Sequence, residues 1–528
     1  FELNKSMDVF FSAFRDLRML YVDTLNPNDL LTWGLEGMVS KLDPYTELVP
    51  AEDVTDFDFM LTGRYGGVGS LIQKDSSWAK IAEPYKGFPA DLAGLVSGDR
   101  LIEINGRNLK DESLDTVSNL LKGNPGTTFD LKAVKFKTGD TVNLKIKRQR
   151  IHVSGVVYSG ILDNGVGYIR LTNFTEGCAK DFRDALMALR KTGELKSLVI
   201  DLRSNGGGSL DEAVKIVNLF VPKGIEVVTA RGREKDMTMS YVTKDQPVDL
   251  QTPIAVLVNS STASSSEIVS GVIQDLDRGI IVGKRTFGKG YVQTVRPTGY
   301  NTKIKITTAK YYIPSGRCVQ AHNFSKRNAD GSVAFIPDSL KKEFKTKNGR
   351  KVYDGGGILP DIEASAEEYS NIAISLLSSH LIFDYSLKYF KTHDSIAQPK
   401  DFRITDADYN DFVNFLSDKT YDYETRSERL FKQLSDAVKN EKYDNVVKTE
   451  MDVLAEKLKH DKVKDLQAFK PEIVQLIEEE IVNRYYYQEG RVRYMLRSDQ
   501  QLDAAIKVLH NSAEYKDILT NTTRETKK

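Results

Sequence analysis

Cysteine is scarce in this sequence of 528 residues, where Cys178 and Cys318 are the only two. Two cysteines exclude a disulfide-dense scaffold and a cysteine-rich metal site, although they do not fix the redox compartment. A net charge is absent as well, since 74 Lys and Arg residues balance 74 Asp and Glu residues. This balance argues against a general binder of nucleic acid or anionic membranes, because such proteins usually carry a basic excess.

Long hydrophobic runs are also missing. No apolar run approaches the roughly 18 residues that cross a bilayer, and the longest candidates, such as 253–258, are typical of buried strands. The sequence contains no His/Glu ligand motif and no cysteine pair, so we expect neither a metal nor a cofactor. The chain begins with Phe1 rather than Met, and we therefore expect that an N-terminal leader was removed.

Glycine and proline are nearly absent from residues 401–528, which contain one of the 37 glycines and one of the 15 prolines. The same segment contains 22 Lys and Arg residues and 26 Asp and Glu residues. Few helix breakers, many charges and apolar residues at helical spacing predict amphipathic helices there. The first 60 residues are predicted to be helical too, over 7–21 and 30–42.

Between these helical ends the pattern changes twice. From about residue 63 to 150, short strands alternate with turns, which predicts a small β-rich domain. From 151 to 365, strands alternate with helices, which predicts an α/β unit with mostly parallel strands. In such a unit, catalytic or binding groups are expected on loops at the carboxyl ends of the strands.

One candidate loop runs from 201 to 209 and contains three consecutive glycines. Glycines let the backbone approach a ligand closely and direct its N–H groups outward. No Gly-Lys-Ser/Thr follows them, so this is not a phosphate-binding Walker loop. A tight turn between a strand and a helix explains the loop alone equally well.

A second candidate loop, 259–267, is rich in serine and threonine and precedes a predicted helix. Serines at a helix start are usually N-caps. The N–H groups there also favour the negative charge that develops when a serine attacks a carbonyl. A serine nucleophile needs a base, and none of the six histidines lies in either loop. A base supplied by a histidine distant in sequence stays an open alternative.

Lys289 is the better candidate base, because it lies between Gly288 and Gly290 after a predicted strand. Burial disfavours a charged lysine and lowers its pKa, which makes it able to accept a proton. The alternative is a protonated surface lysine in a turn.

Six pieces of the sequence, in order over about residues 1–365, resemble the C-terminal processing peptidases, also called tail-specific proteases, a family of Ser/Lys endopeptidases. The pieces are Leu42-Asp43-Pro44-Tyr45-Thr46, Asp201-Leu202-Arg203 with Asn205 and Gly207-Gly208, Thr262-Ala263-Ser264-Ser265-Ser266-Glu267-Ile268, Thr286-Phe287-Gly288-Lys289-Gly290 with Val292-Gln293, Tyr311-Tyr312-Ile313-Pro314-Ser315-Gly316-Arg317, and Gly356-Gly357-Ile358 with Pro360-Asp361. The resemblance implies an α/β catalytic domain of the Clp-protease/crotonase type.

The resemblance also implies roles for individual residues. These are Ser264 as nucleophile, Lys289 as general base, Gln293 as the residue that orients the lysine, Gly207 and Ser265 as oxyanion-hole N–H donors, and Asp201, Arg203 and Glu267 as supporting polar residues. The sequence departs from the family's usual Ser-Ala-Ser-Ala-Ser at three positions, which leaves Ser266 as a lesser candidate nucleophile. Gly206 replaces a common proline, so the oxyanion glycine among 206–208 stays open.

The β-rich segment resembles a PDZ domain. Its carboxylate-binding loop would be Tyr65-Gly66-Gly67-Val68-Gly69, and its core signature Pro89-Ala90-Asp91-Leu92-Ala93-Gly94-Leu95, Gly98-Asp99-Arg100-Leu101 and Ile104-Asn105-Gly106. In such a domain the loop N–H groups hold a terminal carboxylate while the peptide adds as a strand to the sheet edge.

The resemblance therefore implies a helical region at 1–62, a PDZ domain at 63–150, an α/β peptidase domain at 151–365 and a helical region at 366–528. The expected function is a serine endopeptidase that binds protein C-termini in the bacterial cell envelope, periplasmic or membrane-attached. The helical regions could be packing extensions, a lid, or surfaces for a homodimer or an adaptor. One alternative function is a catalytically silent PDZ scaffold or chaperone-like binder. Another is a crotonase-like acyl-CoA enzyme, which also uses backbone oxyanion holes.

Overall fold

The structure, a computed structural model, describes residues 1–327, 333–365 and 369–522. The chain divides into two units. Unit 1 comprises Phe1–Arg64, His152–Ser365 and Gln500–Lys528, and unit 2 comprises Tyr65–Ile151 and Ala366–Asp499. The region expected as one helical segment, 366–528, is thus divided between the units. Its first residues, 366–368, lie outside the described residues.

Helices lie at both ends of the chain and alternate with strands in between. In chain order they are α1 (Glu2–Leu20), α2 (Pro27–Val39), α3 (Val54–Thr62), α4 (Pro89–Leu92), α5 (Leu114–Leu121), α6 (Cys178–Lys191), α7 (Leu210–Asn218), α8 (Ser265–Asp275), α9 (Asn371–Ser378), α10 (Leu381–Thr392), α11 (Asp406–Phe415), α12 (Arg426–Asn440), α13 (Asp444–Leu458), α14 (Lys462–Ala468), α15 (Lys470–Met495), α16 (Gln500–His510) and α17 (Ser512–Thr520). The helices predicted at the N-terminus and in the charged C-terminal segment are confirmed.

The strands occupy the first two thirds of the chain. They are β1 (Glu47–Val49), β2 (Arg64–Gly67), β3 (Ser70–Asp75), β4 (Trp78–Pro84), β5 (Arg100–Ile104), β6 (Arg107–Asn108), β7 (Thr128–Val134), β8 (Thr141–Lys147), β9 (Gln149–His152), β10 (Val156–Ile161), β11 (Val166–Leu171), β12 (Ser197–Asp201), β13 (Glu226–Gly232), β14 (Met239–Val242), β15 (Ile254–Val258), β16 (Ile280–Gly283), β17 (Tyr291–Gly299), β18 (Thr302–Tyr312), β19 (His322–Arg327), β20 (Val333–Phe335), β21 (Glu343–Lys345), β22 (Lys351–Tyr353) and β23 (Ile362–Glu363).

A six-stranded sheet forms the centre of unit 1, with the strand order β10-β11-β12-β15-β16-β23. The strands from β11 to β23 pair in parallel, and only β10 runs antiparallel to its neighbour. Every residue of β12, β15 and β16 is buried, which explains their continuous hydrophobic sequences. The predicted α/β fold with mostly parallel strands is confirmed.

Helices from distant parts of the chain cover this sheet. Helices α6, α7 and α8 bury their apolar residues in the same core as β11, β12 and β15. Helices α16 and α17, from the end of the chain, also pack against strands of the sheet. Leu502 and Leu509 of α16 are buried, and the Tyr515 hydroxyl of α17 bonds both the N–H and the carbonyl of Ile254. Each fully buried leucine contributes roughly 1.5–3 kcal/mol, so the C-terminal helices stabilise unit 1.

A second sheet of unit 1 is antiparallel, with the order β1-β18-β13-β14 and with β17 also paired to β18. The long hairpin of β17 and β18 was not predicted. Its sequence is rich in lysine and threonine and most of its residues are only partly buried, so no hydrophobic run marks it. This sheet brings the N-terminal strand β1 beside residues more than 250 positions later.

Unit 2 combines a β-rich part with a helical part. The β-rich part has the sheet order β3-β4-β5-β7-β8, with β6 paired to β5 and with helix α5 beside the edge strand β3. The helical part has its own core, to which α9, α10, α11 and α15 contribute. Polar contacts join the two parts: Asn483 donates to Glu83, and the Tyr487 hydroxyl donates to Asp91 at 2.8 Å.

Two expectations from composition concern membrane spans and metals. No helix among the described residues is both long and apolar enough to cross a membrane. In the same part of the chain, no group of His, Cys, Asp and Glu side chains is arranged to hold a metal ion. The thiols of Cys178 and Cys318 are both free and do not form a disulfide with each other.

Candidate active site

Three loops meet at the carboxyl ends of neighbouring parallel strands in unit 1. The glycine loop follows β12, the serine loop follows β15, and the lysine loop follows β16. Strands β12 and β15 pair directly, as do β15 and β16. The Ala263 N–H donates to the Asn205 carbonyl at 3.0 Å, and the Phe287 N–H donates to the Thr262 carbonyl at 3.0 Å. Sheet pairing and these bonds hold the three loops together, as expected for an α/β unit.

Ser264 immediately precedes helix α8 and has unusual backbone angles, with φ 55° and ψ −118°. A non-glycine residue with positive φ is uncommon and is often found at functional sites. The side chain is partly exposed. The hydroxyls of its neighbours are otherwise used: Ser265 donates to the Gly208 carbonyl and Ser266 to the Asn205 carbonyl. Of the three serines, Ser264 is therefore the one available to a substrate.

The glycine loop lies against this serine. A Cβ atom added to Gly207 would lie 2.8 Å from Ser264 Cβ and 2.9 Å from the Ser265 nitrogen, so only glycine fits there. The Ser265 N–H makes no hydrogen bond within the described residues. An unpaired N–H at the start of a helix, next to the serine, is suited to binding an oxyanion.

The second predicted oxyanion donor, Gly207, is occupied in this structure. Its N–H donates to Asn205 Oδ1 at 2.9 Å, because the Asn205 side chain turns back into the loop. Neither Gly206 nor Gly208 has an N–H that donates to any described residue. The structure thus offers two other glycines for the role, and the identity of the second donor stays a prediction.

Glu267 links the serine loop to the lysine loop. Its carboxylate is fully buried and accepts the N–H groups of Ser264, Gly288 and Lys289 at 2.7–2.9 Å, as well as the Thr286 hydroxyl at 2.6 Å. Burial raises the pKa of Glu267, while these hydrogen bonds lower it in part. The family resemblance implied a supporting role for Glu267 but did not indicate these partners.

Lys289 is largely withdrawn from solvent. Burial lowers the pKa of its ammonium, and the charge of Lys305 lowers it further, while Glu267, Asp43 and Glu47 raise it in part. The Nζ atom lies 4.4 Å from the centroid of the Tyr45 ring. The structure shows no hydrogen bond from Lys289 Nζ to Ser264, both being described residues.

Gln293 lies on β17 and was predicted to orient the lysine. In the structure its side-chain amide donates to the Thr307 hydroxyl at 3.2 Å, and that hydroxyl donates to Asp43 at 3.1 Å. No hydrogen bond joins Gln293 to Lys289 among the described residues. The contact with Thr307 follows from the β17–β18 pairing, which aligns Gln293 with Thr307.

Asp201 and Arg203 support the glycine loop from below. The Arg203 guanidinium binds the buried Asp201 carboxylate through both oxygens, at 2.9 and 2.7 Å. Burial raises the pKa of Asp201, but Arg203, Arg170 and the Tyr168 hydroxyl outweigh this effect and leave that pKa below its usual value. Arg203 also donates to Gln501 of α16. The pair therefore anchors the glycine loop.

The predicted carboxylate-binding loop lies in unit 2 and comprises the last three residues of β2 and the two residues before β3. Val68 is buried and its carbonyl accepts the Ala90 N–H, while Gly69 has a φ of 72°. Burial raises the pKa of Tyr65, and hydrogen bonds from the backbone of Gly69 and Ser70 to the phenol lower it in part. In this conformation the tyrosine side chain therefore accepts N–H groups of its own loop.

Sequence reasoning did not assign roles to Tyr45 and Tyr311, although both belong to the quoted motifs. The buried Tyr311 hydroxyl donates to the Ser264 carbonyl at 3.3 Å, and the Tyr45 ring lies beside Lys289. Both tyrosines lie in motifs that are separate from the serine and lysine motifs. Their presence in those motifs was the only sequence signal for these contacts.

The Glu267→Gln variant should lower kcat/KM by about 100-fold, the scale of a misplaced catalytic group. A glutamine offers one oxygen and one NH₂ group to four donors, so two of the donors lose their acceptor. The control is Glu194→Gln, an exposed glutamate before β12. Peptidase assays and thermal unfolding should be measured on both variants. Unchanged kcat/KM for Glu267→Gln would contradict the positioning role.

Comparison with known proteins identifies the family. Residues 165–326 match the model of peptidase family S41, residues 80–135 match a PDZ domain, and residues 372–509 match the C-terminal helical domain of a probable PDZ-protease. The carboxy-terminal-processing protease of Bartonella bacilliformis is 34% identical over 319 residues, which cover 60% of this chain and 73% of that protein.

Two further similarities were found. The carboxy-terminal processing protease CtpA of Bacillus subtilis is 30% identical over 355 residues, 67% of this chain and 74% of that protein. Among solved structures, the photosystem II D1 C-terminal processing protease is 27% identical, with 58% of this chain and 83% of that chain covered and a TM-score of 0.33. The present chain belongs to peptidase family S41 and is a serine-type peptidase with a PDZ domain, related to the carboxy-terminal processing proteases.

Proposed function

We propose that this peptidase cleaves proteins by Ser/Lys catalysis in unit 1 after its PDZ domain has bound their C-termini. One observation carries the catalytic part. The Glu267 carboxylate accepts the N–H groups of both Ser264 and Lys289, beside the Ser265 N–H, which donates to no described residue. A nucleophile, a base and an oxyanion donor are thus held on connected loops, which is the arrangement that acyl transfer needs.

In the proposed reaction Ser264 Oγ attacks the scissile carbonyl carbon while neutral Lys289 accepts the hydroxyl proton. Backbone N–H groups stabilise the tetrahedral oxyanion, at roughly 3–4 kcal/mol per donor. The Lys289 ammonium then protonates the leaving amine, and water hydrolyses the acyl-enzyme. Because Nζ lies over Tyr45 in the structure, the lysine side chain has to turn toward Ser264 before the first step.

The PDZ domain supports capture of a C-terminus. Strand β3 is an edge strand of its sheet and helix α5 lies beside it, so an extended peptide can add as a further strand between them. The loop from Gly66 to Gly69 leads into β3, and in the proposed complex its N–H groups hold the carboxylate, with that of Gly69 released from the Tyr65 phenol. The relatives named above are called carboxy-terminal processing proteases, which supports the same substrate class.

Amidation of a peptide's C-terminus should weaken its binding by at least about tenfold, because hydrogen bonds to a charged group are the strong ones in such a site. Fluorescence anisotropy with an apolar-tailed peptide measures the change. The same peptide with an acetylated N-terminus is the control and should bind as the parent does. Equal affinity of the amidated and free peptides would remove PDZ capture from the proposal.

A catalytically silent binder is favoured by one observation, the absence of a hydrogen bond between Ser264 and Lys289 in this structure. Incubation with an unfolded protein that has an apolar C-terminal tail separates the two functions. Fragments that depend on Ser264 indicate a peptidase, whereas binding without fragments indicates a scaffold.

The helical regions support contact with a second copy of the chain. Helix α1 has no buried residue, and its Leu3, Met7 and Leu17 side chains are 75%, 59% and 46% exposed. Together with Phe10 and Phe14 these residues recur at alternating steps of four and three, the spacing of a coiled-coil seam. Sedimentation should therefore show a dimer for the wild type and a monomer for Leu17→Glu; a monomeric wild type would contradict the contact.

Location in the bacterial cell envelope, which the family resemblance implies, stays a prediction.

A further inference from the structure

The motif Leu42-Asp43-Pro44-Tyr45-Thr46 has no part in the reaction proposed above, yet it is built as a tight turn around one carboxylate. The buried Asp43 side chain accepts the N–H groups of Tyr45 and Thr46 at 2.9 and 3.0 Å and the Thr46 hydroxyl at 3.1 Å. These bonds fix the backbone on both sides of Tyr45 and leave its side chain directed away from the turn.

Strand β18 fixes this turn relative to the lysine loop. Thr307 of β18 donates its N–H to the Thr46 hydroxyl and its own hydroxyl to Asp43, each at 3.1 Å. Strand β1 follows the turn and pairs with β18, and β17, which begins two residues after Lys289, pairs with β18 as well. The turn with Tyr45 and the loop with Lys289 are therefore attached to the same strand.

The Tyr45 ring presents its face to the lysine. Lys289 Nζ lies 4.4 Å from the ring centroid. Tyr291 and Phe324 contact Tyr45 in edge geometry, with interplanar angles of 87° and 85°. Burial, then the charges of Glu267 and Asp43 and the neighbouring Tyr291, raise the pKa of Tyr45 to about 12, so the phenol stays neutral near pH 7. The contact is thus a cation–π interaction and not an ion pair.

The charged groups that face Lys289 already have other partners. They are Lys305, Glu267, Asp43 and Glu47. Glu47 binds Lys305 at 2.5 Å, Asp43 accepts the donors of its own turn, and Glu267 accepts four donors of the loops. Lys289 itself forms no ion pair within the described residues. The Tyr45 ring is therefore a direct contact that stabilises its ammonium, in addition to the charges of Glu267, Asp43 and Glu47.

We propose that Tyr45 is a positioning residue for the general base: its ring face holds the protonated Lys289 side chain away from Ser264 and thereby sets the pH above which the base becomes available. This inference rests on the proposed function, in which Lys289 accepts the proton of Ser264. A cation–π contact stabilises only the charged form of a lysine, so Nζ leaves the ring when it loses its proton. The neutral amine then turns to Ser264.

The test is the pH dependence of Ser264 modification by a fluorophosphonate, a probe that needs no PDZ binding. Serine Oγ forms a bond to phosphorus, fluoride leaves, and the base takes the hydroxyl proton. For Tyr45→Leu the ascending limb of the rate should move to lower pH by roughly half to one and a half units, because the ammonium loses its ring. For Tyr45→Phe the limb should stay where it is in the wild type, because the ring remains. The Tyr45 hydroxyl makes no hydrogen bond with described residues, so Tyr45→Phe removes no other contact.

A shift of the limb to higher pH would have a different physical cause. A ring that acted only by excluding water would have lowered the lysine pKa, and Tyr45→Leu would then move the limb to higher pH. An upward shift or an unmoved limb overturns the inference. Thermal unfolding and the rate at the high-pH plateau show whether the variants are folded.

If Lys289→Ala still reacts with the probe at the wild-type rate, the proposed function fails, whatever Tyr45→Leu does. If Lys289→Ala is inert and Tyr45→Leu keeps the wild-type limb, only the inference about Tyr45 fails.

Discussion

Ser264→Ala is expected to lower kcat/KM for an unfolded protein substrate by about 10⁴- to 10⁶-fold, the range found when a serine peptidase loses its nucleophile. The variant removes a partly exposed serine hydroxyl at the start of α8, while Ser265 and Ser266 stay bonded to Gly208 and Asn205. Substrate binding by the PDZ domain should be unchanged, because that domain belongs to unit 2. Fragment formation on gels and anisotropy with a C-terminal peptide measure the two properties separately.

Ser266→Ala is the matched control, since it removes a hydroxyl two residues away in the same helix turn. Its hydroxyl is buried and donates to the Asn205 carbonyl, so its loss should cost about 1 kcal/mol of unfolding free energy. Activity should fall by less than about tenfold, since the remaining loop bonds are retained. If Ser266→Ala were inactive and Ser264→Ala active, the nucleophile would be Ser266 and our prediction would be wrong.

Lys289→Ala should lower kcat/KM by about 10²- to 10⁴-fold, the contribution of a positioned general base. Lys289→Arg should be similarly inactive, because a guanidinium of pKa above 12 does not give up its proton in proteins. The arginine variant keeps a positive charge over Tyr45 and therefore separates loss of the base from loss of the charge. Lys180→Ala, on the exposed surface of α6, is the control and should retain full activity.

The direction in which the wild-type kcat/KM changes with pH follows from the proposed mechanism. The base acts when neutral, so kcat/KM should rise with pH through the pKa of Lys289. Because burial and Lys305 lower that pKa, the limb should lie below the 10.5 of a free lysine. The profile should lose this limb in Lys289→Ala, with its residual rate independent of lysine titration. A wild-type profile that is flat up to the pH of alkaline unfolding would contradict a lysine base.

Local sequence pattern is sufficient to predict those parts of the fold in which local preference and tertiary structure agree. Strands β12, β15 and β16 are short apolar runs followed by polar loops, and the runs are buried on both faces. That pattern alone predicts the serine and glycine loops at the ends of strands. The family resemblance then distinguishes Ser264 from the serines beside it, which periodicity does not do.

Contacts between residues far apart in sequence were beyond sequence reasoning. Tyr45 and Lys289 are brought together by the pairing of β1 and β17 with β18, which no local pattern encodes. The bond from the Gly207 N–H to Asn205 depends on the Asn205 side chain turning back into the loop, and the Gln293 contact depends on the register of a hairpin whose polar sequence carries no strand signal. Division of the C-terminal helices between two units likewise depends on which sheet α16 covers.

The division of unit 1 into three chain segments has a consequence for biosynthesis. Ser264 and Lys289 lie before residue 300 and are translated early. Helices α16 and α17, which pack against the central sheet of unit 1, are translated only after all of unit 2. Domains generally fold as units once their residues have left the ribosome. A nascent chain therefore carries the proposed nucleophile and base on a sheet whose cover is incomplete, with the bond from Arg203 to Gln501 not yet formed. We therefore expect unit 1 to complete its fold only after translation has passed residue 520, when the PDZ domain has already been made.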